Sequence, residues 1–318
     1  MVRLALEARA DKLDSQAGRE GQAGARETVS QFIDRHIMLL LFLPAFLVLF
    51  LVTVVPFLTA LWFSFTGYNL AKPNSDTFVG LETYQIVLSD PATRNALFNT
   101  FYLVAACVAT ETVLGVGLAL LLARQFRGVR VVRSLFLVPL MTTPVVVALT
   151  WRMLYNTRFG YVNYFLGLLG LPTQDWLGDP ALAMWALVVA DIWVATPFVA
   201  TIVLAGLLSL PEEPFEAAVV DGASALQTFW RITLPMLRPV LALAIMFRAV
   251  DAFVKFESIL IMTGGGPGEV TTTLNFLAFN TGFYFLRLAD AAVMSVVMVF
   301  LMLTIAFASI RWLGAGRV

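Results

Sequence analysis

The sequence predicts an all-α, polytopic membrane protein with six transmembrane helices, and three observations carry that prediction. Only 13% of the 318 residues are charged and 59% are apolar, whereas a soluble domain carries charge on about a quarter of its residues. The apolar residues gather into six windows of the length, about 20 residues, that a hydrocarbon core about 30 Å thick demands of a helix. Lys and Arg concentrate in alternate loops, fourteen on one side of the succession of windows against four on the other. A mean hydropathy of +0.84 excludes disorder, and zero net charge with a pI near 6.6 argues against nucleic acid as a partner. Lipid is the partner this composition needs. The one cysteine, Cys107, has no second thiol for a disulfide or zinc motif and reads as a small apolar filler.

The first window, Ile37 to Phe65, holds no Asp, Glu, Lys or Arg, and Pro44 and Pro56 are positioned to kink it. The second, from about Asn99 to Ala123, carries one charge, Glu111. The third, Ser134 to Leu154, contains Pro139 and Pro144 and ends near Arg152. The fourth, Leu182 to Leu208, holds Asp191 and Pro197. The fifth, Val240 to Met262, differs from the rest because Arg248, Asp251, Lys255 and Glu257 all lie inside it. The sixth, Ala291 to Ile310, is again free of charge.

Short cytoplasmic loops are enriched in Lys and Arg, so the charge bias puts both termini on the cytoplasmic side. That orientation survives without the N-terminal tail, at eight against four. Residues 1–36 are polar with acids and bases mixed, unlike a secretory or transit peptide. Gly18, Gly21 and Gly24 interrupt this tail before a short interfacial helix expected near Glu27 to His36. His36 is the only histidine and has no companion with which to hold a metal or relay protons. The domain division is therefore a cytoplasmic tail at 1–36 and a six-span helical domain at 37–318.

The chain lacks the marks of catalysis. Its Gly-rich stretch, Gly264, Gly265, Gly266, Pro267 and Gly268, is not followed by the Lys and Ser or Thr of a phosphate-binding loop. By topology it lies on the outer side and reads as a tight turn. A nucleophile elbow and a metal-binding histidine pair are also missing. The informative segment is the cytoplasmic loop between the fourth and fifth windows. Pro214 and the acids Glu213 and Glu216 suit a helix start, Ala217 and Ala218 its body, and Gly222 its end, while Phe229, Ile232 and Pro239 lead into the next span. A short helix held at the membrane surface between two spans, here at about 212–224, suits insertion into a cleft on a partner. The bland alternative is a loop lying on the lipid headgroups.

The run Glu216, Ala217, Ala218, Asp221, Gly222, Ala223, then Phe229, Ile232, Leu234 and Pro235 resembles the "EAA" motif of the membrane subunits of binding-protein-dependent ABC importers. That resemblance implies a type I ABC importer permease fold in which this helix couples to an ATPase. It extends from about Ile37 to the last window. Its finer features are similar to the carbohydrate branch, the type of the larger maltose permease, the glycerol-phosphate permease and the trehalose importer: Glu111 with Leu114 and Gly115, the stretch from Pro139 to Trp151, Arg248 with Asp251, and the Gly264 to Pro267 turn. The segment Tyr68 to Leu81, with Asn69, Lys72, Pro73, Asn74 and Gly80, is most similar to the trehalose type. The large periplasmic insertion of the enteric maltose subunit is missing. The resemblance implies a second, smaller permease subunit, two ATPase subunits, an extracytoplasmic solute-binding protein and the bacterial cytoplasmic (inner) membrane. It implies no cofactor in this chain, ATP and Mg belonging to the ATPase subunits.

Charge inside a bilayer costs at least about 2.5 kcal/mol per residue, so the charged groups should face the bundle interior. At about 100° per residue, Arg248, Asp251, Lys255 and Ser258 share one stripe and Glu257 falls opposite. Two readings compete for the stripe: ion pairs within the helix, or polar groups that meet sugar hydroxyls. In the family this helix contributes to the sugar site. The substrate candidates are therefore Asp251, Lys255 and Ser258, with Phe253 and Phe256 as apolar faces, Asp191 and Trp193 in the fourth window, and Tyr155 and Asn156 at the outer end of the third; Glu111 reads as structural.

The sequence thus reads as the permease subunit of an ABC importer that moves a carbohydrate, such as a disaccharide of the trehalose or maltose kind, by alternating access, without hydrolysing ATP itself. A non-sugar solute such as glycerol-phosphate is an alternative. A rival of another class is an ion-coupled carrier using Glu111, Asp191 and Asp251, although inverted repeats and broken helices are not visible in the sequence. A membrane scaffold without a transport path leaves the charged stripe of the fifth window unused.

Overall fold

The computed structural model describes residues 42–73, 75–124 and 126–314. The tail at 1–36 with its expected helix and His36, residues 37–41 of the first window, Asn74 and Arg317 lie outside them. The chain divides into two compact units, Met1–Thr59 and Ala60–Val318. Among the described residues the structure is helical, with one isolated antiparallel bridge, Thr66 to Phe78, in place of any strand.

Helix α1, Phe42–Phe63, is long and apolar enough to cross a membrane. The backbone widens to a π-helical turn at Phe50–Val54 and returns to α-helix with Pro56 in its first turn. Pro56 has no N–H and its ring crowds the carbonyl four residues back, and the wider turn relieves both without ending the helix. After it come α2 (Glu82–Ser89) and the 33-residue α3 (Pro91–Ala123). Helix α3 starts well before the expected Asn99. The carboxylate of Asp90 accepts the Ala92 N–H at 3.2 Å with Pro91 in the first turn, a start signal that a search for uncharged windows passes over.

The third window is not one helix. It forms α4 (Val129–Phe136), a 3-10 turn at Pro139–Met141 and α5 (Pro144–Leu154), with a bend of 96° between the two halves. Pro144 supplies the cause: it donates no N–H and disfavours helical backbone in the residue before it, so Thr143 is extended at ψ 145°, whereas Pro139 opens the 3-10 turn behind a Val138 that stays helical. Counting the bent pair as one span gives six candidate spans among the described residues, and without it five. A bent helix pair, with the form of a broken span or a re-entrant loop, is therefore present where the sequence showed no break.

Next follow α6 (Tyr161–Leu168), α7 (Ala183–Leu208), α8 (Glu213–Val220) and α9 (Ala225–Phe253). Helix α9 stops at Phe253, short of the expected Met262. The Val254 carbonyl, freed by that stop, accepts from Asn275 Nδ2 at 2.8 Å. Lys255 and Ser258 thus lie beyond the helix, and the stripe drawn on an ideal helix holds only from Arg248 to Asp251. Helices α10 (Leu274–Phe279) and α11 (Leu288–Gly314) complete the chain. Between α9 and α10 the Gly-rich stretch forms the expected turn: Gly264, Gly265 and Gly268 take positive φ, and Asn99 Nδ2 ties it to α3 by donating to the Glu269 and Thr272 carbonyls at 3.0 Å each.

Helix α3 packs most extensively on α7, and α9 packs on α3, α7 and α11. Ala119, Val199, Val203, Leu237 and Leu241 form the buried seam shared by α3, α7 and α9. Lipid offers no hydrophobic gain for this association, so close approach of small residues has to supply the packing. A Cβ on Gly115 would stand 2.6 Å from Val199 Cγ1, and one on Gly206 2.8 Å from Val240 Cγ1. Gly115→Leu is accordingly expected to destabilise the bundle by about 1–3 kcal/mol or more through overpacking, seen as a lowered unfolding midpoint in detergent. Gly117→Ala, at a position with no atom within 4 Å of the added Cβ, is the control and should leave the midpoint unchanged.

Candidate functional site

Three spans place ionisable side chains at one level of the bundle. Glu111 comes from α3, Asp191 from α7, Arg248 and Asp251 from α9, and Lys255 from the turn that follows. The Arg248 guanidinium donates to both carboxylate oxygens of Glu111, Nε at 2.6 Å and Nη2 at 3.0 Å, and Nη2 also reaches Asp191 Oδ2 at 3.0 Å. Its Nη1 pairs with Asp251 Oδ2 one helical turn on. Lys255 Nζ pairs with Asp191 Oδ1 and lies 3.9 Å from Asp251 Oδ2. Only an arginine has enough fixed donors to hold three carboxylates from three helices at once.

Side-chain exposure orders the cluster from a sealed end to an open one: Glu111 0%, Arg248 4%, Asp191 7%, Lys255 19% and Asp251 60%. Desolvated charges of this kind are tolerated only when paired. Cys107 Sγ lies with the Glu111 and Asp191 carboxylates, one ligand atom of each within 4.8 Å of the others. Arg248 and Lys255 already balance the charge of these two carboxylates.

The open end borders a cleft of about 400 Å³. Its walls are Leu140, Thr142 and Pro144 from the break in the third window, Val194, Ala195 and Phe198 from α7, and Phe247, Arg248, Asp251 and Lys255. Phe198 and Phe247 meet edge to face at 6.4 Å. The break between α4 and α5 therefore supplies one wall of the cleft.

Of the substrate candidates read from the sequence, Asp251 and Lys255 line the cleft, and Asp191 stands behind Lys255 as its buried counter-charge. Glu111, read as structural, is the sealed anchor of the cluster. Phe253 requires correction: it is 1% exposed, packed against Val104, Ala249 and Ala252 with its ring edge-on to Phe101, and shows no face to the cleft. Phe256 is half-buried against Phe279 and Phe276, and Ser258 begins the π turn Ile259–Thr263; neither lines the cleft. Trp193 is partly exposed and packs edge-on to Trp151, beside the cleft and not in its wall. Tyr155 is buried and donates its hydroxyl to the Ala186 carbonyl at 3.2 Å. Asn156 Oδ1 accepts the N–H groups of Arg158 and Phe159 at 2.9 and 3.2 Å, which makes it a turn residue. The aromatic faces that do border the cleft, Phe198 and Phe247, are ones the sequence reading passed over.

The segment at 212–224 folds as its residue order dictates. Helix α8 has Pro214, Glu213 and Glu216 in its first turn. It closes with paired bonds, Ala223 N–H to the Ala218 carbonyl at 2.9 Å and Gly222 N–H to the Val219 carbonyl at 3.1 Å, around Gly222 at φ +70°. Ser224 and Gln227 then cap α9 reciprocally, a signal not drawn from the sequence. Ala218 is buried, while Glu216, Ala217, Val219, Val220, Asp221 and Gly222 are exposed. Phe229 and Ile232 lie in the π turn Phe229–Thr233 that continues into Leu234 and Pro235.

These features have counterparts in known proteins. Residues 112–316 match the family model described as "Binding-protein-dependent transport system inner membrane component". The trehalose/maltose transport system permease protein of Thermococcus litoralis is 36% identical over 281 residues, covering 87% of this chain and 92% of the relative. The trehalose transport system permease protein of Mycobacterium tuberculosis is 34% identical over 289 residues, covering 91% and 92%. A crystal structure of a bacterial ABC transporter involved in the import of the acidic polysaccharide alginate contains a chain of the same fold, with TM-score 0.77 and 21% identity over 90% of this chain and 98% of that one. The family model covers well over half of the chain and the two relatives align along nearly all of it, so this chain belongs to the family of binding-protein-dependent transport system inner membrane components.

Proposed function

We propose that the chain is the permease subunit through which an ABC importer moves a carbohydrate, of the disaccharide size of trehalose or maltose, into the cytoplasm. The cleft beside Asp251 and Lys255 carries the reading. It is large enough for a small solute, offers two aromatic faces for the apolar sides of sugar rings, and sets charged hydrogen-bonding groups at one end. The two relatives named for trehalose or maltose support the solute class. The fold alone does not choose the solute, since an alginate importer shares it.

The chain works with a second, smaller permease subunit, two ATPase subunits that bind Mg and hydrolyse ATP, and an extracytoplasmic solute-binding protein. In this reading both termini face the cytoplasm, which the bias of Lys and Arg between alternate loops supports. Helix α8, with Glu216, Ala217, Ala218, Asp221, Gly222 and Ala223, docks on an ATPase subunit, and Phe229, Ile232, Leu234 and Pro235 carry its displacement into α9. Coupling requires that the binding protein outside and ATP inside favour different conformations of the spans. The test is the subunit composition of the tagged chain purified from its own host in mild detergent. Mass spectrometry is expected to find a second six-span chain and two copies of a Walker-motif ATPase. This chain alone, in a preparation that still transports, would overturn the proposal.

A further inference from the structure

We propose that the charged cluster makes the cleft selective for uncharged polyhydroxyl solutes over anionic ones, with Asp251 as the selecting residue; this rests on the carbohydrate reading above and narrows it. The cluster contains three carboxylates and two cations, one formal negative charge in excess. Both cations are engaged inward. Arg248 is held by Glu111, Asp191 and Asp251, and Lys255 by Asp191. Lys255 meets the cleft with its charge already balanced by the buried Asp191, so an anionic solute gains less from it than from a free ammonium and competes with a carboxylate that is 7% exposed.

Asp251 is the group that remains for a solute. Its Oδ2 faces Arg248 and Lys255, whereas its Oδ1 takes no hydrogen bond among the described residues, and the side chain is 60% exposed at the cleft wall. A free carboxylate oxygen accepts sugar hydroxyls in charge-assisted hydrogen bonds and repels a carboxylate, sulfonate or phosphate brought to the same distance. The remaining walls are apolar apart from Thr142, and no further cation lines the cleft to offset that repulsion. The electron-rich faces of Phe198 and Phe247 offer an anion no attraction, and the fixed negative charge that discriminates is the carboxylate of Asp251.

The test is equilibrium binding to the assembled transporter in detergent with the solute-binding protein left out, so that its own selectivity does not enter. The probes are trehalose, maltose and the same disaccharides with one C6 hydroxymethyl group oxidised to carboxylate, a change of charge at nearly constant shape. The neutral sugars are expected to bind at least about tenfold tighter than their uronates. In Asp251→Asn the neutral sugars bind more weakly, the uronates gain, and the ratio falls to about threefold or less. Asp251→Glu, which keeps the charge, retains the ratio and separates selection from damage to the fold. Uronates bound as tightly as neutral sugars by the unaltered transporter would overturn the proposal, as would an unchanged ratio in Asp251→Asn. Binding of neither sugar nor uronate, with a solute of another class bound instead, would overturn the carbohydrate reading itself.

Discussion

Arg248→Met is expected to deplete the folded chain from the membrane, because it strips the sealed carboxylate of Glu111 of both its hydrogen bonds and leaves Asp191 with Lys255 alone. Removing one partner of a buried ion pair costs about 3–5 kcal/mol. Lowered expression and a lowered unfolding midpoint in size-exclusion chromatography are the measurements. The double variant Glu111→Gln/Arg248→Met buries no orphaned charge at the sealed end and should recover at least about half of that loss, since coupled neighbours are not additive. Losses that simply add would show that Arg248 and Glu111 do not act on each other. An Arg248→Lys chain keeps the charge but not the fork, and belongs between the two.

Gly222→Trp is expected to abolish uptake while leaving most of the bundle intact. At φ +70° an L side chain is strained by about 1–2 kcal/mol, yet a Cβ added there meets nothing within 4 Å, so the strain is local. The bulk instead lands on the exposed end of α8, where the ATPase subunit is proposed to sit. Gly222→Ala carries nearly the same backbone strain without the bulk and should retain most of the uptake, which separates obstruction from conformation. Transport in proteoliposomes, read beside co-purification of the ATPase subunits, measures both. Normal uptake by an assembled Gly222→Trp transporter would remove α8 from the coupling path.

The spans were legible because a 20-residue apolar run has few alternatives in water or lipid. Their ends were less so. Charge-free windows start where charge stops, whereas helices start where a cap allows, and Asp90–Pro91 placed α3 well before Asn99. The third window looked continuous because hydropathy does not register a missing N–H, although Pro139 and Pro144 were in plain view. At the cleft, the charged residues were readable because intramembrane charge must find partners, and Asp191, Asp251 and Lys255 all proved to be neighbours. The sequence could not show that they converge on one guanidinium, which depends on three helices meeting. The aromatics failed for the opposite reason. Every Phe in a span satisfies lipid, core and cleft equally, so Phe253 was assigned to a face that packing claims. Phe247 lies four residues before Asp251 and so shares its side of α9. That spacing was the available clue.

The interruption between α4 and α5 has an electrical side. Thr143 provides no side-chain cap, so the N–H groups of Val145 and Val146 open α5 without helical partners, at the same wall that Thr142 and Pro144 lend to the cleft. Irregular backbone at membrane depth has to be sheltered by protein or wetted by a cavity. A cleft at that wall gives those N–H groups a place to be wetted, and a wetted cleft set into a membrane shortens the insulating path that remains. That thinner dielectric is the packed zone around Glu111 and Cys107, both fully buried. In a wetted cleft its tightness, rather than the width of the cleft, would set the barrier to protons and small ions.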